Sequence, residues 1–273
     1  MLSKQSLLII KLLVFITTIQ VSYAEKITLH VPILEDSPKQ HEFFYEILSQ
    51  AFQNSDHNLK LVIKRAPQAR VKRLFEKGDI SIFWMLESPQ RNKKYIPINV
   101  NLTKGLIGKR ILFIKKGKQH IFDNITKLDD LRKLNLVAGL GQEWLDTQIW
   151  EANKLGYKKQ PGNWKTIFNM VLMGRYDYFP RGINEILTEA KQHPELAIEK
   201  KLVFIYNGKY KFYLSTKGKY AGVQYNDIIN TVLKKAEQDG LIKKTIKKYW
   251  SNNLKILNYD KRIKIFLEMP KEE

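Results

Sequence analysis

The sequence predicts an α/β fold in a chain long enough for one large domain or two lobes. Three observations carry that expectation. Short apolar runs bounded by Gly, Pro and Asp alternate with segments of helical periodicity. The first hundred residues read strand, helix, strand, helix, strand, an order that requires a parallel sheet with right-handed crossovers. After the amino terminus, no apolar run approaches the roughly 20 residues needed to span a bilayer.

Residues 26–32 alternate as a first strand, and residues 33–40 form a polar loop. Between residues 41 and 52, Phe43, Phe44, Ile47, Leu48, Ala51 and Phe52 line one face of an amphipathic helix. Residues 59–63 form a second strand. Pro67 opens a helix that Gly78 closes. The third strand follows in residues 78–91, GDISIFWMLESPQR, where a buried apolar run stops at Glu87, Ser88 and Pro89. Open α/β sheets bind ligands at the carboxyl ends of their strands. Arg91 sits just past this one, and its planar fork can hold a carboxylate or phosphate through two parallel hydrogen bonds.

This stretch resembles the first-lobe signature of type 2 periplasmic solute-binding proteins of amino-acid-binding family 3, roughly G-x-x-D-A-x-x-x-x-x-x-x-T-x-x-R. Asp79, Ser88 in place of the Thr, and Arg91 keep its register. The likeness extends from Ile27 to Trp250, where QDGLIKKTIKKYW is similar to the family's carboxyl-terminal D-G-x-x-x-x-I-x-x-K-W. It implies a two-lobed clamshell, each lobe a central, mainly parallel sheet flanked by helices, with two hinge crossings. Lobe one would comprise residues 25–108 and 212–250, lobe two residues 109–211. Residues 251–273 lie beyond the pattern and are expected as an appended helix or a basic tail.

In the second lobe the sequence predicts helices near residues 128–134, 143–155, 164–173 and 183–192, with strands at 136–138, 176–179 and 202–206. Residues 106–116 and 210–215 would be the crossings, and residues 226–238 and 241–250 the closing helices of lobe one.

The resemblance implies an arginine, Arg91, on the ligand's carboxylate, with Ser88 beside it. Residues 139–143, GLGQE, lack the family's hydroxyls, so Gly141 and Gln142 would offer only backbone N–H groups at a helix start. Arg181 stands near the place of the family's ammonium-binding acid. Trp84 would stack on a ligand or pack in the core, and Glu87 is a candidate ligand contact or general base. Together these groups point to a solute with two anionic groups, or a carboxylate on a flat apolar body.

The first 24 residues have a basic start, an apolar stretch over residues 7–16, and Ser22 and Ala24 before a cleavage point, as in a secretory signal peptide. Its removal takes only Lys4 and Lys11 from the 47 basic and 27 acidic side chains, leaving 45 against 27, or +18. The lysines are scattered and accompanied by no nucleic-acid motif, so no nucleic-acid partner is expected. Their role is a solvated surface with weak attraction to anionic envelope surfaces. There is no cysteine, hence no disulfide, thiolate metal site or cysteine nucleophile. His30, His41, His57, His120 and His193 show no metal-ligand spacing, and G-x-S-x-G is absent. No cofactor or metal is expected.

The leading expectation is therefore a monomeric periplasmic receptor that closes on a small anionic solute for an ABC permease or a sensor domain. Two alternatives remain: an enzyme of the cyclohexadienyl dehydratase type on the same fold, and a basic protein that binds lipopolysaccharide or peptidoglycan.

Overall fold

The structure, a computed structural model, describes residues 26–34 and 40–271. The segment with the character of a secretory signal lies outside the described residues. The first lobe starts with β1 (Lys26–Leu34), α1 (Gln40–Gln53), β2 (Asn58–Ala66), α2 (Gln68–Lys77), β3 (Ile82–Leu86), α3 (Pro89–Lys94) and β4 (Ile96–Pro97). As expected, β1 and β2 pair in parallel, Ile27 opposite Leu59 and Leu34 opposite Ala66.

The third strand departs from the expected continuous parallel sheet. It pairs antiparallel with a strand from much later in the chain, Phe212 opposite Trp84. Beside β1 it keeps only the local link at Ser81, whose N–H donates to the His30 carbonyl while its hydroxyl accepts from the His30 N–H, both at 2.8 Å. A side chain here takes the place of a ladder partner. Gly78 ends α2 in the left-handed region at φ 73°, and a Cβ there would lie 1.9 Å from the Lys217 carbonyl, so this turn tolerates no side chain.

The chain then enters the second lobe through β5 (Lys109–Lys115), α4 (Leu128–Lys133), β6 (Ala138–Gly141), α5 (Asp146–Ala152), β7 (Tyr157–Gln160), α6 (Thr166–Leu172), β8 (Tyr178–Gly182), α7 (Ile186–Gln192), β9 (Leu196–Ile198) and β10 (Leu202–Ile205). It returns through β11 (Tyr210–Leu214) and ends with α8 (Asn226–Gln238), α9 (Leu241–Ile256) and β12 (Ile263–Phe266). The second lobe is a mixed sheet in the order β12-β10-β5-β8-β6-β7, with β9 also on β5. Central strand β5 is buried on both faces: Leu112 and Ile114 enter one core, Ile111 and Phe113 the other. That accounts for its continuous apolar run.

Residues 251–271 form neither a separate helix nor a loose tail. Helix α9 continues to Ile256, with Leu241 and Ile242 in the first-lobe core and Ile246, Trp250 and Leu254 against a second-lobe core. Strand β12 then adds to the second-lobe sheet parallel to β10, Ile263 opposite Leu202. The chain thus joins its lobes a third time, beyond the two expected crossings.

Arg262 fixes this last connection. Its guanidinium donates to the carbonyls of Leu257 at 2.7 Å, Glu199 at 2.7 Å and Leu202 at 2.9 Å, beside the fully buried Glu199 carboxylate at 3.5 Å. Removing it leaves buried acceptors unpaired, so Arg262→Ala should lower stability by about 3 kcal/mol. Urea unfolding measures this, and an unchanged midpoint would show that the carboxyl-terminal strand is dispensable.

Candidate functional site

A cleft of about 880 Å³ separates the lobes. Its first-lobe wall is built where β3 ends. Ser88 caps α3, its hydroxyl accepting the Arg91 N–H at 3.3 Å, and Pro89 follows as the first helical residue. This turn aims Arg91 back along the strand, where its guanidinium donates to the Leu86 carbonyl. Arg91 lines the cleft and is half-buried. Burial pushes its pKa down from the ordinary value, against the pull of Tyr210, Tyr213, Tyr95 and Asp146. It has no carboxylate hydrogen-bonded or ion-paired to it among the described residues.

The facing wall comes from the second lobe and is a closed network of buried charges. Arg110 on β5 meets the Asp146 carboxylate through Nε at 2.9 Å and Nη2 at 3.0 Å, and its Nη1 lies 3.5 Å from Glu185. The Tyr206 hydroxyl accepts from Arg110 Nε at 2.8 Å and donates to Asp146 at 3.1 Å. Burial opposes the charge on Arg110, but Asp146, Tyr206 and Glu185 raise its pKa above the ordinary value. Arg181 on β8 is held by both oxygens of Glu189 on α7, and its Nη2 is 3.3 Å from Glu185. It lies between the rings of Trp144 at 5.0 Å and Trp164 at 4.7 Å, with Phe179 at 5.2 Å. Its pKa too is raised, by Glu185 and Glu189 against the cost of burial.

The sequence-derived candidates fall into two groups. Arg91, Ser88, Trp84, Gly141, Gln142 and Arg181 all line the cleft. Trp84 does so from the core, 3 % exposed and stacked on Phe44 at 4.5 Å. Glu87 is not among the lining residues; it turns to the hinge side, where Lys211 Nζ binds it at 2.6 Å.

Two expectations are corrected. Residues 139–141 belong to β6, the Gln142 N–H donates to the Gln160 carbonyl at 3.0 Å, and α5 starts only at Asp146. Pairing with β7 therefore consumes the Gln142 N–H that was expected to help hold an anion, and no helix start stands behind it. Arg181, expected to offer the solute a second cation, is matched by acids from its own lobe, Glu189 on α7 and Glu185 just before it.

Gly141 has a different task. A Cβ there would lie 2.6 Å from the Trp144 ring, so its lack of a side chain lets that indole lie over β6 and reach Arg181. Sequence reading missed Arg110, Asp146, Trp144, Trp164 and Tyr210. Arg110 carried a usable signal: an arginine among Ile107, Ile111, Leu112, Phe113 and Ile114 must be buried with a partner. Asp146 and the aromatics have no comparable local signature.

Across the cleft mouth Lys72 on α2 meets Glu143 of the second lobe at 2.7 Å, but both side chains are at least half exposed. Such a pair is worth at most about 1 kcal/mol. Asp146→Ala, by contrast, strands Arg110 and should cost about 3–5 kcal/mol. Chemical unfolding of Asp146→Ala beside Glu143→Ala checks this ranking, and equal losses would refute it.

No protein-family model matches the chain, and no curated protein matches it either. Solved structures do. An ancestral arginine-binding protein bound to glutamine is similar with a TM-score of 0.60 at 17% identity, covering 82% of this chain and 97% of that one. An amino acid ABC transporter substrate-binding protein from Streptococcus pneumoniae bound to L-arginine gives 0.59 at 13%, covering 82% and 94%. An ancestral amino-acid-binding protein, a precursor of cyclohexadienyl dehydratase, gives 0.57 at 16%, covering 82% and 95%. At these identities the likeness is one of architecture, and this chain shares the two-lobed α/β fold of these binding proteins.

Proposed function

We propose that the chain is a non-enzymatic receptor that captures a small amino-acid-like solute between its lobes, outside the cytoplasm, for an ABC importer or a sensor. The observation that carries this reading is the contrast among the buried and half-buried arginines of the cleft, Arg73 being exposed at its rim. Arg110 and Arg181 are neutralised by Asp146, Glu185 and Glu189, whereas Arg91 presents a guanidinium with no carboxylate partner among the described residues. A ligand carboxylate supplies that partner, and closure strengthens the contact by expelling water.

The same count argues against a solute with two anionic groups. Among the buried and half-buried charges, the guanidiniums of Arg91, Arg110 and Arg181 face the carboxylates of Asp146, Glu185 and Glu189, so the formal charges of this inner group cancel, while Lys72, Arg73, Lys94 and Lys159 stand at the solvated rim. A solute without net charge preserves the balance, while a dicarboxylate leaves buried charge without compensation. Structures of similar architecture bound to glutamine and to L-arginine support an amino-acid-like solute. The dehydratase alternative loses its candidate base, since Glu87 is engaged by Lys211 away from the cleft lining.

Thermal unfolding of residues 25–273 against amino acids, dicarboxylates and aromatic acids tests the reading. An amino acid at a hundred times its Kd should stabilise by ~2.7 kcal/mol, on the order of 5–10 °C for a chain this long. The shift should vanish in Arg91→Ala. A larger shift with dicarboxylates, or one that survives Arg91→Ala, would contradict it.

A further inference from the structure

Helix α9 has a solvent face whose charge its own stability does not explain. Lys243, Lys244, Lys247, Lys248 and Lys255 are all exposed, and the helix contains no acidic residue. At 100° per residue these lysines fall within an arc of about 140°, along ~18 Å of helix. Lys243 and Lys244 occupy the first turn, where the helix dipole disfavours cations. Lys243 with Lys247, and Lys244 with Lys248, are like-charge neighbours four residues apart, which weakens a helix. Of the five, only Lys248 has an acidic partner among the described residues, Glu46 at 2.7 Å. The adjacent α8 adds exposed Lys234 and Lys235, while its Glu237 is engaged by Lys104.

We propose that this face docks the protein on an anionic phospholipid bilayer. Lysines on a convex helix act as point charges towards a diffuse negative surface, at close range and with strong salt dependence. A nucleic-acid site would use arginine forks or exposed aromatic rings between the cations. Here the helix has no arginine, and its rings turn inward: Trp250 packs on Phe43 at 4.2 Å, and the Tyr249 hydroxyl donates to Glu46 at 2.8 Å. No residue of α8 or α9 lines the cleft, so a bilayer held there leaves the cleft mouth unobstructed. Because α9 packs on the cores of both lobes, the docked surface touches each of them.

Co-sedimentation with vesicles tests the proposal on the chain from residue 25 onward, which contains every described element. Phosphatidylcholine vesicles alone are compared with vesicles that also contain phosphatidylglycerol. Binding should require phosphatidylglycerol and disappear at about 1 M salt, where the Debye length is about 3 Å. The triple variant Lys243→Gln, Lys244→Gln, Lys247→Gln should lose about 100-fold in partitioning. A control with the same change in charge, Lys115→Gln, Lys116→Gln, Lys118→Gln, replaces exposed lysines near β5 and should stay within a few-fold of the parent. Equal losses in both triples would reduce the effect to net charge and overturn the docking face. Absence of binding to phosphatidylglycerol vesicles by the unsubstituted chain would overturn it even if a variant failed to fold. Displacement from the vesicles by single-stranded oligonucleotide at equal phosphate concentration would overturn the assignment to lipid.

Discussion

The second lobe depends on keeping its buried charges matched. Arg110 on the central strand, Asp146 at the start of α5, Arg181 on β8 and Glu189 on α7 come from four elements, with Glu185 between the two guanidiniums. Each of these charges would be costly alone in the interior. Held together, they fix the position of α5 and α7 on the sheet and form a wall in which guanidiniums and carboxylates pair with one another. The wall also leaves Arg91, alone among the buried and half-buried arginines of the cleft, without a carboxylate from the protein itself among the described residues.

That asymmetry links the fold to the proposed activity. The first lobe supplies the open guanidinium through the turn after β3, and the second supplies a neutralised face with Trp144 and Trp164 beside Arg181. The lobes are joined at the entry to β5, at the return into β11, and again by the path from α9 to β12. A third connection restricts how the lobes can move apart, and the Arg262 anchor sets its end on the second lobe. The exposed pair of Lys72 and Glu143 adds little to holding the lobes together across the cleft mouth.

Much of the fold was legible in the sequence because its elements follow local rules. The amphipathic periods of α1 and α8, the Gly78 stop and the apolar run of β5 all appear where periodicity places them. The pairing of β3 with β11 was not legible: more than a hundred residues separate the partners, and no local pattern encodes such a register. The carboxyl-terminal strand was missed for the same reason, since β12 is a short edge strand whose partner is β10. In the site, Arg91 and Ser88 could be read from one turn. The neutralisation of Arg181 could not, because Glu189 becomes its partner only through the path of α7. Arg110 shows what a closer reading can recover: a charge inside an apolar strand signals a buried pair even when the partner is unknown.

The central claim is that the cleft lacks one carboxylate and needs no second. Calorimetric titration with three related solutes tests it most directly: an amino acid that binds, its decarboxylated amine, and the same skeleton with an additional carboxylate. The account predicts that loss of the carboxylate weakens binding by about 100-fold or more, as expected when a half-buried guanidinium is left without its partner. It also predicts that the added carboxylate brings no gain. An amine that binds as tightly as its parent amino acid would contradict the account.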